Sequence, residues 1–126
     1  MRLQWVAVLT AMLLAAPLAA QTVPCPDRLA AIRVSEIKPG KAALAAQAIA
    51  DHKAWYAKRR LPTTVERVPV LKLGPDGGMT TDATRFMTIT RYRGATRPTE
   101  DAEWTAFTKK YADSTTIAST TRVCLN

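Results

Sequence analysis

Between Leu29 and Ile37 (LAAIRVSEI) apolar and polar positions alternate, with Ile32 and Val34 on one side and Arg33 and Ser35 on the other. A period of two predicts a strand. Lys38-Pro39-Gly40-Lys41 breaks it. From Ala42 to about Arg60 the period lengthens: Leu44, Ala45, Ala48, His52 and Trp55 fall along one helical stripe. Ala, Leu, Gln and Lys favour that helix. Lys58, Arg59 and Arg60 set positive charge against the negative end of its dipole, and Pro62 stops it.

Alternation returns in Thr64–Leu73 (TVERVPVLKL), a second strand. Its Pro69 cannot donate to a ladder, so the strand belongs at a sheet edge or carries a bulge. Gly74–Thr84 (GPDGGMTTDAT) reads as the turn region of a hairpin. In Arg85–Tyr92, Phe86, Thr88, Thr90 and Tyr92 face one way, Met87 and Ile89 the other. After a loop at Gly94–Pro98, Thr99 is the predicted N-cap, with Glu100, Asp101 and Glu103 in the first turn. The helix runs to about Ser114 and carries Trp104, Phe107 and Tyr111 at i, i+3 and i+7. Ile117–Leu125 closes the domain as a last strand.

The order β-α-β-β-α-β is that of the ferredoxin-like α+β fold, an antiparallel four-stranded sheet with two helices on one face. In this topology the last strand lies antiparallel beside the first. Cys25 and Cys124, the chain's 2 cysteines, sit at the two strand ends so joined. They are expected to form a disulfide, and pairing counted inward from them sets Ile32 opposite Ile117. The sheet's second face, assigned Met87 and Ile89 together with Arg33 and Ser35, is partly apolar and favours a homodimer through the sheet.

Residues 1–20 read as a signal peptide: Arg2, an apolar run from Leu3 to Leu14, then small residues at Ala15, Ala16, Ala19 and Ala20. Cleavage is expected after Ala20, although Leu18 is large for its position, and an uncleaved anchor is the alternative. The run falls short of the ~20 residues of a bilayer span, and no later segment is apolar enough for one. The α+β domain is therefore assigned to residues 21–126, in the periplasm or secreted, where a disulfide persists. Of 18 Lys and Arg only Arg2 leaves with the leader, against 10 Asp and Glu, so the domain stays basic. After export a nucleic-acid partner is not expected. Anionic lipid, polysaccharide or a small acidic ligand is the alternative to no specific partner.

Chemistry-bearing residues are few. His52 is the only histidine and lies on the stripe facing the sheet or the cleft, as a general base, an axial ligand or a hydrogen-bond donor to a bound ligand, or else as a residue capped by a backbone carbonyl or on a solvated helix flank. Trp55, Tyr56, Trp104, Phe107 and Tyr111 either line such a cleft or build the core, and Arg91 and Tyr92 end the third strand where they could touch it. Lys53, Lys58, Arg59 and Arg60 form a basic group that suits an anion or a solvated helix end. No cofactor is predicted: a structural zinc site needs about four Cys or His ligands, covalent haem needs C-x-x-C-H, and Gly77-Gly78 is a turn rather than a phosphate loop.

The Ile37-Lys38-Pro39-Gly40-Lys41 turn, the helix with His52, Lys53, Trp55 and Tyr56, and the helix with Trp104, Phe107 and Tyr111 together resemble the dimeric α/β-barrel superfamily. Within it, the chain is most similar to small NIPSNAP-like and antibiotic-biosynthesis-monooxygenase-like domains, over nearly all of residues 21–126. The resemblance implies two sheets packed face to face and, in each protomer, a cleft between helices and sheet for a flat or hydrophobic ligand. Secretion and a disulfide depart from the usual members. Three functions follow as expectations: a small-ligand-binding domain using His52, Trp55, Tyr56, Tyr92, Trp104, Phe107 and Tyr111; a cofactor-independent monooxygenase or isomerase with His52 as its catalytic group; or a structural accessory protein without a pocket.

Overall fold

The computed structural model describes residues 24–94 and 98–126. The expected leader and the centre of the Gly94–Pro98 loop lie outside the described residues. The elements are β1 (Leu29–Ile37), α1 (Ala42–Lys58), β2 (Thr64–Leu73), β3 (Met79–Arg91), α2 (Ala102–Ser114) and β4 (Thr115–Cys124). The strands form one antiparallel sheet in the order β2-β3-β1-β4. This is the ferredoxin-like arrangement, and none of the described helices is long and apolar enough to cross a membrane.

Alternation decides what each strand buries. Val65, Phe86, Thr88 and Thr90 are buried under the helices. Trp55, Tyr56, Val65 and Phe107 form one core cluster, with Leu61, Trp104 and Tyr111 at its margin. Ala45, Ile49 and Phe86 form a second, joined by Ile37 and Tyr111. Ile49 and Tyr56 thus belong to the buried face of α1 beside the predicted stripe.

Several expected boundaries shift for local reasons. Helix α1 stops at Lys58, because Arg60 turns left-handed (φ +52°) and the Leu61 N–H bonds back to the Tyr56 carbonyl at 3.1 Å, with Pro62 following. The N-cap of α2 is Asp101 rather than Thr99: its carboxylate accepts from the Trp104 N–H at 2.9 Å. Strand β3 begins at Met79, not Arg85, and only residues 74–78 turn, around Gly77 at φ +80°. The added stretch pairs with Leu71–Leu73 beyond the end of β1, so neither side is buried and its Thr-rich sequence shows no core face. Pro69 lies on the edge strand and adjoins a register shift between Pro69 and Leu71, both of the places open to it.

Cys25 and Cys124 are disulfide-bonded, with Cα atoms 6.0 Å apart. The bond implies an oxidising environment. The register inside it differs from the simple count. Cys25 stands in a turn, at φ +49°, with the Arg28 N–H bonding to its carbonyl at 2.9 Å. Leu29 is therefore the residue opposite Cys124, and Ile32 faces Thr121. A bulge after Val34 then brings Ile117 opposite Ser35.

Pairing also reverses one face assignment. Arg33 pairs with Thr88 and Ser35 with Phe86, so both lie on the helix side of the sheet. The open face instead gathers Ile32, Val34, Met87, Ile89 and Val68, flanked by the ion pairs Arg85–Glu36 (2.6 Å) and Arg91–Glu66 (2.6 Å).

Candidate functional site

The helix pair is joined at one end by Asp101. Beyond capping α2, its carboxylate accepts from Trp55 Nε1 at 2.9 Å and forms an ion pair with Arg59. The Arg59 guanidinium lies 4.3 Å over the Trp55 ring and donates to the Trp55 carbonyl at 3.0 Å. These donors, with Arg59's charge, lower the Asp101 carboxyl to about 2. Lys58 and Arg59 both reach Glu103, at 3.4 and 3.5 Å. Two members of the basic group that suited an anion are thus engaged inside the protein, while Lys53 stands apart from them on another flank of α1.

Six of the seven aromatic or histidine candidates meet in one network between the helices. His52 stacks on Phe107 with centroids 4.7 Å apart and planes at 17°. Trp104 contacts His52, Trp55 and Phe107 edge-on, and Trp55 contacts Tyr56 in the same way. Trp55, Tyr56 and Phe107 are fully buried, so they are core, and Tyr56 does not reach a cleft mouth. Tyr92 is half-buried at the end of β3, and among the described residues it makes no ring contact with this network.

Polar function concentrates where His52 meets α2. Its Nδ1 lies 3.2 Å from the Tyr111 hydroxyl, a hydrogen bond whose direction depends on the imidazole tautomer. Burial disfavours the imidazolium, Arg33 repels it, and the pKa falls from 6.5 to about 4. Burial likewise raises the Tyr111 phenol well above its ordinary value, with Arg33 opposing. At neutral pH the pair is an uncharged donor–acceptor unit beside a cation. Asp51, next to His52 in sequence, turns away to Lys110 at 2.6 Å.

Arg33 is the residue that sequence reading missed. It is exposed on the helix side because α2 leaves most of β4 uncovered: Ile117 (54% exposed), Thr120 and Arg122 lie on that same side. Arg33 Nε reaches Thr120 Oγ1 at 3.4 Å. The result is an open shelf of β1 and β4 on which Arg33 is near enough to His52 and Tyr111 for its charge to act on both. The signal was cross-strand parity: Arg33 shares its side with Phe86, which had to be buried.

Two further grooves flank α1. One of about 270 Å³ lies between the helices, lined by Asp51, Ala54, Trp55, Lys58, Glu103, Ala106 and Phe107. The other, about 240 Å³, lies between α1 and β2, lined by Ala46, Ile49, Ala50, Lys53 and Arg67.

No family model, no curated protein and no solved structure matches this chain. Fold and site define its class: a ferredoxin-like α+β domain, closed end to end by a disulfide, with a neutral His–Tyr pair at the edge of an uncovered sheet.

Proposed function

We propose that the chain is an exported ligand-binding domain of the dimeric α/β-barrel type, holding a small, flat, hydrophobic or aromatic molecule on the shelf between α2 and β4. The observation that carries this reading is the His52–Tyr111 hydrogen bond, 3.2 Å long and half-buried beside Arg33. Such a site offers an aromatic wall, a neutral polar pair and the Arg33 and Arg122 cations, directed groups that orient a ligand beside exposed Ile117. The same chemistry favours binding over turnover. A general base works best with a pKa near the operating pH, and His52 at about 4 is a weak base. Export rests on the leader and on the disulfide, and the dimer on the apolar open face of the sheet.

The test is native mass spectrometry of protein recovered from the periplasm. A retained small mass, released on denaturation and lost in Tyr111→Ala, supports the reading. A bare mass from both proteins removes the ligand, and a bare monomer also removes the barrel.

A further inference from the structure

We propose that the groove between α1 and β2, on the other flank of α1 from the shelf, binds a small monocarboxylate with an apolar body. Ala46, Ile49, Ala50 and Lys53 follow one another at i, i+3, i+4 and i+7 along α1, and Arg67 closes the groove from β2. The alanines are what leave it open: Ala46 and Ala50 are exposed beside buried Ile49. Its volume of about 240 Å³ is below the ~300 Å³ at which ordinary ligand pockets begin, so the occupant is small.

The two cations have no acidic partner among the described residues. Glu66, next to Arg67, points to the opposite sheet face and binds Arg91 at 2.6 Å. Asp51 is held by Lys110 on the far side of α1, and Glu103 by Lys58 and Arg59. Arg67 is also held in place, with its guanidinium 5.3 Å from the centroid of the Phe86 ring. A planar guanidinium so placed presents its fork to a carboxylate, and the Lys53 ammonium adds a second charge. Ile49 and the alanine methyls then cover an apolar tail. Neither an inorganic anion nor a neutral alcohol satisfies both halves of this groove.

The experiment is an amide NMR titration of the disulfide-bonded protein with hexanoate, and separately with inorganic phosphate and with hexanol. Saturable shifts at residues 46–53 and 67 with hexanoate, and binding about tenfold weaker for the other two probes, are expected. Arg67→Met and Lys53→Met should each weaken hexanoate by about tenfold. Ala50→Leu keeps both charges but fills the groove and should abolish the shifts, so it carries the test if Arg67→Met disturbs Phe86. Absence of saturable shifts, an equal response to phosphate or hexanol, or undiminished binding in Ala50→Leu overturns the proposal. The Lys53 and Arg67 side chains take no part in the His52–Tyr111 hydrogen bond, so Lys53→Met tests the groove without touching the shelf, and the two fail independently.

Discussion

The two halves of α1 are built on opposite plans. Its C-terminal half packs Trp55 and Tyr56 against Phe107 and Val65, and Asp101 locks the rings from outside. Its N-terminal half packs Ala45 and Ile49 over Phe86, with Ala46 and Ala50 exposed on its flank. Large rings fill the interior at one end, and the groove there runs over them at the surface, between Ala54 and Ala106. Small side chains bring helix and sheet together at the other end and leave a groove at the edge. Aromatic residues were the natural candidates for a cleft, yet most of them are what closes it. The openings lie where side chains are short or where α2 stops covering the sheet.

The strongest way to break this contrast is to open the disulfide. Cys25–Cys124 ties the sheet at the end where Val65 meets Trp55, because Leu29, at the start of β1, pairs with Cys124 and follows the turn containing Cys25. The bridge spans 99 positions, and Cys25→Ser with Cys124→Ser should cost up to about 4.7 kcal/mol, measured as a lowered urea midpoint. Next come the rings. Trp55→Ala or Phe107→Ala should cost about 3–5 kcal/mol, while Ile49→Val at the other end should cost only about 0.5–1.5 kcal/mol. Equal losses at both ends would contradict the division drawn here.

His52 gives a smaller, pH-dependent effect at the junction. Unfolded, it binds a proton near 6.5; folded, only near 4. Stability is therefore complete above pH 6.5 and falls as the pH drops towards 4, by on the order of 2–3 kcal/mol. The urea midpoint should follow that course, and His52→Gln should flatten it. Asp101 acts lower on the scale: its folded pKa is depressed to about 2, so its support is lost only as the pH falls from about 3.8 towards 2. In Asp101→Asn that last acid loss should shrink. The smallest effect belongs to Ala50→Leu at the exposed groove, within about 0.5 kcal/mol in stability.

Much of the fold was legible because burial leaves a period. Both helices and the inner part of β3 bury one side, and their residues alternate or stripe around Phe86, Trp55 and Phe107; in β1 the alternation marks a strand, but its apolar residues Ile32 and Val34 lie on the open face. The outer part of β3 buries neither side, so Met79–Thr84 read as turn. The cysteines indicated which strand ends meet. They could not indicate register, because a disulfide tolerates a turn such as that at Cys25 and a ladder tolerates a bulge such as that after Val34.

The sequence by itself determined the element order, the closed topology and the aromatic stripes that become the core, since each follows from local periodicity and from cysteine placement. Only the tertiary structure decided which side of the sheet Arg33 faces, that Tyr111 meets His52, and that Lys53 is joined by Arg67 rather than by Lys58 and Arg59. Those outcomes depend on register across strands and on where a helix stops covering a sheet. These are distances between residues remote in the chain, and no local pattern encodes them.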